Sequence, residues 1–317
     1  MEKIDTPFTP DPVDGEQEAP VDTVLAWNGV RPPALARLVT QKIVYGSDDR
    51  RDEYQVTDSA VIAAGDSTVA MVPVASLMSQ PDGSFSLPKD DLATDYESQV
   101  GRPLCEDEPY RDQPDAALCS GFLVAPDTVA TAGHCILSDA ECAAYAFVFG
   151  HVMADAATSV VTLAASDVYF CSEILARNDG DADWALIRLD RPVVDHVPLA
   201  VRQTGKIADN ENLLVIGHPL GLPRKYAAGD DTRVRDNSDS ILFWANLDTY
   251  GGNYSSTVFN ARTLEVEGIL GVGNFDFEED GDCDRSAVCP DSGCTGGDVS
   301  WEVVVRDHDV GRSAPDV

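Results

Sequence analysis

The sequence predicts an all-β fold, either a sandwich or a pair of small antiparallel barrels. Short valine-rich or alternating runs recur between clusters of Gly, Pro, Asp and Asn, and this pattern is typical of strands; examples are 67–72, 121–124, 146–149, 184–187 and 213–216. No repeat of about 20–50 residues and no long amphipathic helical pattern is present, which excludes solenoids and helical bundles. Antiparallel strands this short must close or pack to protect their edges.

Charge and hydropathy exclude two classes of function. The 317 residues include 22 Lys and Arg against 55 Asp and Glu, a net charge of −33, so phosphate polyanions such as nucleic acids would be repelled. The longest apolar runs, such as 268–272, are far shorter than the roughly 18 residues of a membrane span, so none is predicted. Neither a cofactor nor a metal is predicted, because no histidine or cysteine pattern has zinc-ligand spacing and the acidic run at 277–284 lacks the glycine position of a calcium loop.

The chain divides into an acidic leader and a folded domain. Residues 1–42 start with an acidic, proline-punctuated stretch that offers little to bury, so we expect a disordered linker or pro-segment followed by a domain over 43–317. Eight cysteines, an even number, favour disulfides in an oxidising compartment, although the N-terminus has no visible signal peptide. A secreted, periplasmic or cell-surface location is therefore expected, and the oligomeric state is left open.

His134 has the sequence context most suggestive of chemistry. It follows a predicted strand in the motif Thr-Ala-Gly-His-Cys at 131–135, where the small neighbour Gly133 leaves the ring accessible. A disulfide between Cys119 and Cys135 would hold this turn in place. A lone histidine beside a cysteine is more often structural, so the surrounding motif decides the interpretation.

This motif resembles that of the trypsin/chymotrypsin family of serine proteases, and in particular bacterial members related to glutamyl endopeptidases. The resemblance covers about residues 43–305 and implies two packed antiparallel β-barrels, chymotrypsin-like, with a cleft between them that takes a peptide or protein. In this family the histidine is the general base, which is the role implied for His134, and the Cys119–Cys135 bridge is also implied.

The resemblance assigns the orienting carboxylate to Asp183. The run Asp-Trp-Ala-Leu-Ile at 183–187 matches the family's Asp-x-Ala-Leu context, and such a carboxylate would accept a hydrogen bond from the far ring nitrogen of His134. Asp181 is the local competitor, and a plain turn aspartate at the start of a strand is the alternative.

The nucleophile turn departs from the family pattern. In the relatives the run reads Gly-Gly-Asn-Ser-Gly-Ser-x-Val-Phe-Asn, and alignment without insertion places Tyr254 at the serine and Ser255 at the following glycine. A phenol cannot replace the serine geometrically, and its ring would project toward His134. Ser255 is the alternative nucleophile, presented only if the turn shifts by one residue.

The resemblance also places an oxyanion hole and a substrate pocket. The backbone amides of Gly252 and Tyr254 are the implied oxyanion donors. Asp248 corresponds to the pocket base that selects Lys or Arg, with a surface turn residue as the alternative, and Gly271 and Gly273 leave the pocket open.

Two further expectations concern cysteines and activation. Cys142 is expected to pair with Cys171, and one of Cys283, Cys289 and Cys294 must reach a distant partner, for which Cys105 is the remaining candidate. The run Lys-Ile-Val-Tyr-Gly at 42–46 resembles the family's activation junction, or is simply the first strand.

Two functions follow. The favoured one is a trypsin-like protease homologue impaired by Tyr254 that binds peptides or proteins in the inter-barrel cleft. The alternative is an active secreted endopeptidase that cleaves after Lys or Arg with His134, Asp183 and a displaced Ser255.

Overall fold

The structure, a computed structural model, describes residues 44–178, 180, 182–250, 253–272, 277–292 and 302–306. The predicted leader over 1–42 and the junction at Lys42 therefore lie outside the described residues. Strands dominate, in the order β1 (Val44–Tyr45), β2 (Arg50–Asp52), β3 (Thr68–Pro73), β4 (Met78–Ser79), β5 (Phe85–Ser86), β6 (Cys119–Ala125), β7 (Thr128–Thr131), β8 (Tyr145–Val148), β9 (Thr162–Leu163), β10 (Val168–Asn178), β11 (Trp184–Leu189), β12 (Leu213–Gly217), β13 (Lys225–Ala227), β14 (Val234–Asp236), β15 (Leu242–Ala245), β16 (Thr257–Asn260), β17 (Val266–Val272), β18 (Phe277–Asp280), β19 (Cys283–Ser286), β20 (Val288–Cys289) and β21 (Glu302–Arg306).

Helices are short by comparison. Three α-helices are α1 (Ser59–Gly65), α2 (Leu92–Val100) and α3 (Asp139–Cys142), and 3-10 turns cover Glu53–Gln55, Val74–Ser76, Gly133–Cys135, Ala165–Asp167 and Pro219–Gly221. None of the helices that the structure describes is long and apolar enough to cross a membrane.

The predicted all-β class is confirmed. Fourteen of the 21 described strands form two antiparallel units, and the others form the small sheets β1–β20, β18–β19 and β4–β5–β9. The first is a closed barrel in the order β10, β11, β7, β6, β3 and β8. The second is an eight-stranded sheet in the order β14, β15, β21, β17, β16, β12, β13 and β2. The five runs predicted as strands lie in β3, β6, β8, β11 and β12.

Strand β3 shows why the barrel strands are apolar on both faces. Val69 and Met71 point into the barrel core, whereas Ala70 and Val72 belong to a separate cluster that includes Leu87 from the connection between β3 and β6. Successive side chains of a strand point to opposite faces, so a strand covered on both sides needs apolar residues throughout.

One hydrophobic core joins the two units. Phe122 and Leu186 of the barrel belong to the same buried cluster as Leu214, Phe259 and Ile269 of the second sheet, and each is at most 2% exposed. The units are therefore packed on one another.

The long connection between β3 and β6 packs partly on the barrel and partly on the segments around Val44 and Tyr250. It contains β4, β5 and α2, which Asp91 caps through a 2.8 Å bond from the Thr94 amide. Leu92 and Tyr96 of α2 share a buried cluster with Val44 and Tyr250. The connection thereby covers the N-terminal strand and the loop that leads to Tyr254.

Three disulfides fasten this arrangement. Cys119–Cys135 joins β6 to the turn that carries His134, Cys142–Cys171 joins α3 to β10, and Cys105–Cys283 joins the long connection to β19. These pairs match the sequence expectations, including the distant partner proposed for Cys105. Cys289 is also disulfide-bonded, and Cys294 lies outside the described residues.

Candidate active site

His134 lies on the short 3-10 turn Gly133–Cys135 that follows β7. A β-carbon on Gly133 would lie 2.1 Å from the carbonyl oxygen of Asn178, so the close approach of these two backbone segments requires glycine. The disulfide from Cys135 to Cys119 fixes the other side of the turn. His134 is thus held by its backbone, while its side chain keeps 14% exposure.

Asp183 holds the imidazole in one orientation. Its Oδ2 lies 2.7 Å from Nδ1 of His134, and its Oδ1 accepts the His134 backbone amide at 2.9 Å. Asp183 is completely buried and has a φ of +33°, an uncommon value for a residue with a side chain. An acceptor at Nδ1 keeps the proton on that nitrogen and leaves the Nε2 lone pair free to accept a proton. The competing residue, Asp181, lies outside the described residues.

Tyr254 packs against the face of this dyad. Its ring meets the imidazole of His134 edge-on, with centroids 4.7 Å apart and planes at 89°. The Tyr254 carbonyl accepts the amide of Ser120 at 3.0 Å, which ties the turn to β6 of the barrel. Tyr254, which the sequence alignment predicts at the nucleophile position, therefore lies against the imidazole of His134.

Ser255 lies behind the histidine turn. It is completely buried, and its hydroxyl accepts the Ala132 amide at 2.6 Å and lies 3.0 Å from the Thr131 hydroxyl. Its φ of +69° is in the left-handed region that glycine adopts without strain. This backbone conformation explains why the aligned family motif has glycine here.

A buried polar network follows the turn, and the sequence did not indicate it. The Ser256 hydroxyl donates to the Asn253 side-chain oxygen and to the Ser120 hydroxyl at 3.2 Å. Ser120 in turn accepts the backbone amide of His218 at 2.9 Å. This network joins the turn around Tyr254 to both units. Its contacts to Ser120 span 136 residues from Ser256 and 98 residues from His218, so sequence spacing gave no signal.

The structure places Asp248 in contact with the N-terminal segment. Its Oδ1 accepts the Tyr45 amide at 2.7 Å, its Oδ2 accepts the Asp49 amide at 2.8 Å, and the residue is 3% exposed. Burial, with the nearby Asp49 carboxylate, raises the pKa of Asp248 to about 8. It is not brought to the His134 dyad.

The structure describes only some of the other residues predicted for the substrate pocket and the oxyanion hole. Gly271 lies near the end of β17, whereas Gly252 and Gly273 lie outside the described residues. Their roles stay predictions.

One group of potential metal ligands occurs among the described residues. Ligand atoms of Cys119, His134 and Cys135 lie within 4.8 Å of one another, but both sulfurs are tied in the Cys119–Cys135 disulfide. A disulfide sulfur is not the thiolate that binds metals.

Comparisons with known proteins found one family model and several solved structures that resemble this chain. Residues 119–269 match the family model described as a trypsin-like peptidase domain. Among solved structures, a Glu endopeptidase is 15% identical, with 85% of this chain and 96% of that chain covered and a TM-score of 0.48. The VesB protease of Vibrio cholerae is 13% identical, with 84% and 64% covered and a TM-score of 0.47. A search of curated proteins found no match. The stretch that carries His134, Asp183 and Tyr254 thus matches the trypsin-like peptidase domain family.

Proposed function

We propose that this chain is a catalytically impaired trypsin-like protease homologue that binds a peptide or protein in the cleft between its two β units. The observation that supports this most directly is the Tyr254 ring packed against His134. The proposal includes Gly252 and Tyr254 as backbone donors, and Gly271 and Gly273 as residues that leave room for a ligand side chain.

The dyad lacks a bonded nucleophile. A serine protease needs a hydroxyl within hydrogen-bond reach of the base nitrogen, about 2.6–3.2 Å. Among the described residues, the polar neighbour of Nε2 in His134 is the Cys135 sulfur at 3.8 Å, and no hydroxyl is bonded to it. The phenol of Tyr254 has a reference pKa near 10 and carries its oxygen on a rigid ring, so it cannot occupy the serine position.

Ser255 is poorly placed to act as the nucleophile in place of the family's serine. Its hydroxyl is committed to the Ala132 amide, on a residue that has no exposed surface. Presenting it to a substrate would require breaking that bond and leaving a buried amide unpaired, which costs about 1–3 kcal/mol. This argues against the displaced-serine alternative.

The framework needed to bind a peptide is retained. The His134–Asp183 pair, the shared core and the disulfide across the histidine turn all support a cleft of fixed shape. A preformed cleft lowers the ordering cost of binding. Disulfides of this kind persist in oxidising compartments, so the proposal places the protein outside the cell, in the periplasm or on the cell surface, with 1–42 as a possible pro-segment.

Labelling with a fluorophosphonate probe tests the proposal, because the probe needs an activated serine. The full chain, and the chain cut after Lys42, are each expected to label no more than the His134→Ala variant. Fluorescein-labelled casein is expected to bind, as a rise in anisotropy, without being cleaved. Labelling or cleavage that disappears in Ser255→Ala would overturn the proposal and establish the displaced serine.

A further inference from the structure

The carboxylate of Asp248 is fully engaged by backbone. Each oxygen accepts one amide, from Tyr45 at 2.7 Å and from Asp49 at 2.8 Å, and both bonds cross about 200 positions of the chain. With 3% exposure and both oxygens occupied, this carboxylate has no free face for a ligand cation. Once Asp248 is ionised, these two bonds become charge-assisted, a class that is among the stronger hydrogen bonds in proteins.

A second carboxyl group completes the contact. Asp49 donates its own amide to Asp248, and its side chain accepts the Thr232 hydroxyl at 2.8 Å. Burial raises the pKa of both carboxyl groups, that of Asp248 to about 8, so the two groups share a proton at neutral pH. Next to them, the Asp291 carboxylate packs so closely on Gly46 that a β-carbon there would lie 2.5 Å from it.

The cations that face this pair do not neutralise it fully. Arg50 has its guanidinium bonded to Asp48 and to the Thr249 carbonyl, and it stacks on the Tyr250 ring at 3.7 Å. Arg51 acts on Asp49 only through weak Coulomb attraction.

We infer that Asp248 is a positioning residue, which fastens the segment Tyr45–Asp49 to the loop that leads to Tyr254, and that it gives the cleft no preference for Lys or Arg side chains. The selectivity clause rests on the proposed peptide-binding function, whereas the positioning clause does not. Since Asp248 immediately precedes the buried Thr249 and Tyr250, releasing the segment would loosen the base of the loop that carries Tyr254.

Hydrogen–deuterium exchange of the full chain tests the positioning role. In Asp248→Ala, the amides of Tyr45 and Asp49 are expected to exchange about tenfold faster or more, because both lose their acceptor. The matched control is Asp49→Asn, whose amide can donate to Asp248 in place of the shared proton and still accept from Thr232. The positioning role would be overturned if the Tyr45 and Asp49 amides of Asp248→Ala exchanged as slowly as those of the wild type, at a pH where the Asp49→Asn variant is folded.

A pH series separates this role from a merely structural one. In the wild type, exchange at the Tyr45 and Asp49 amides, corrected for its intrinsic rise with pH, is expected to slow as pH rises through about 8, because the ionised Asp248 carboxylate is the stronger acceptor of both amides. In Asp49→Asn the step is expected at lower pH, because the neighbouring carboxylate no longer raises the pKa of Asp248. A step at the same pH in both proteins would contradict the coupling of the two carboxyl groups.

Peptide binding tests the selectivity clause. Fluorescein-labelled Ala-Ala-Pro-Xaa peptides, with Xaa as Arg, Lys, Leu or Gln, are compared at two salt concentrations, because the net charge of −33 attracts any basic peptide. At high salt, Asp248→Asn is expected to change the affinities for Arg and Leu peptides by the same factor. A selective loss of about tenfold or more for Arg and Lys would overturn the inference. If no peptide binds, the proposed function fails, and exchange alone decides the positioning role.

Discussion

The ring of Tyr254 meets the imidazole of His134 edge-on at 4.7 Å, so an aromatic side chain packs against the base of an otherwise assembled His–Asp dyad. Edge-to-face pairs of this kind contribute about 0.5–1.5 kcal/mol beyond the area they bury. The contact thus helps to hold the turn that carries Tyr254 against the turn that carries His134.

Restoring the family motif is expected to require two changes together. Tyr254→Ser supplies the hydroxyl, and Ser255→Gly relieves the residue at φ +69° and frees the turn from its bond to Ala132. Neighbouring positions couple, so the double variant is expected to hydrolyse peptide esters and take up fluorophosphonate more than the sum of the single variants. Adding His134→Ala is expected to lower the recovered rate about 10²–10⁴-fold. If the Tyr254→Ser single variant were as active as the double variant, glycine would not be needed at position 255.

The backbone strain at Ser255 is expected to give the alanine and glycine variants of this residue different stabilities. Ser255→Ala keeps the left-handed backbone and leaves the Ala132 amide unpaired, whereas Ser255→Gly loses the same bond but removes the strain. Urea unfolding is expected to find the alanine variant about 1 kcal/mol less stable than the glycine variant. The reverse order would show that the backbone is not strained at this position.

Removing the Cys119–Cys135 bridge is expected to destabilise the domain. The disulfide closes a loop of 16 residues, so replacing both cysteines with alanine lowers the free energy of unfolding by about 2–4 kcal/mol. Exchange is expected to rise first in the turn that carries His134. Non-reducing peptide mapping provides the independent check, and free thiols at both positions would contradict the pairing.

A stacked pair of buried histidines predicts acid sensitivity. The ring centroids of His151 and His218 lie 5.7 Å apart, and burial lowers the pKa of each imidazole, that of His151 to about 4. Because an unfolded histidine titrates near 6.5, the unfolded state binds more protons below that pH, and stability falls as pH drops from about 6.5 toward 4. For His151 alone the loss at pH 4 is about 3 kcal/mol.

The acid effect can be assigned with a conservative variant. His151→Gln removes the titrating group while keeping a polar side chain near the Val160 carbonyl. Unfolding measured between pH 7 and pH 4 is expected to show a shallower fall in this variant. An unchanged slope would mean that other groups cause the acid sensitivity.

Sequence reasoning succeeded where the signal was local. The predicted strands, the histidine turn and three disulfides rest on short motifs or on the count of cysteines, and the structure agrees with them. It could not foresee that Ser255 bonds the Ala132 amide or that Asp248 bonds Tyr45, because these contacts join positions 123 and 203 residues apart. Helix α2 was missed as well, since its polar sequence carries only two buried residues, Leu92 and Tyr96.

The contact between Tyr45 and Asp248 also has a consequence for synthesis on the ribosome. Its two ends are separated by 203 residues, which at roughly 5–20 residues per second means about 10–40 s between their emergence. The strand Val44–Tyr45 can pair only later still, because its partner in a parallel ladder is Val288–Cys289. The segment made first among the described residues is thus among the last to find its place, and the loop ahead of Tyr254 acquires its support only when nearly the whole chain is available.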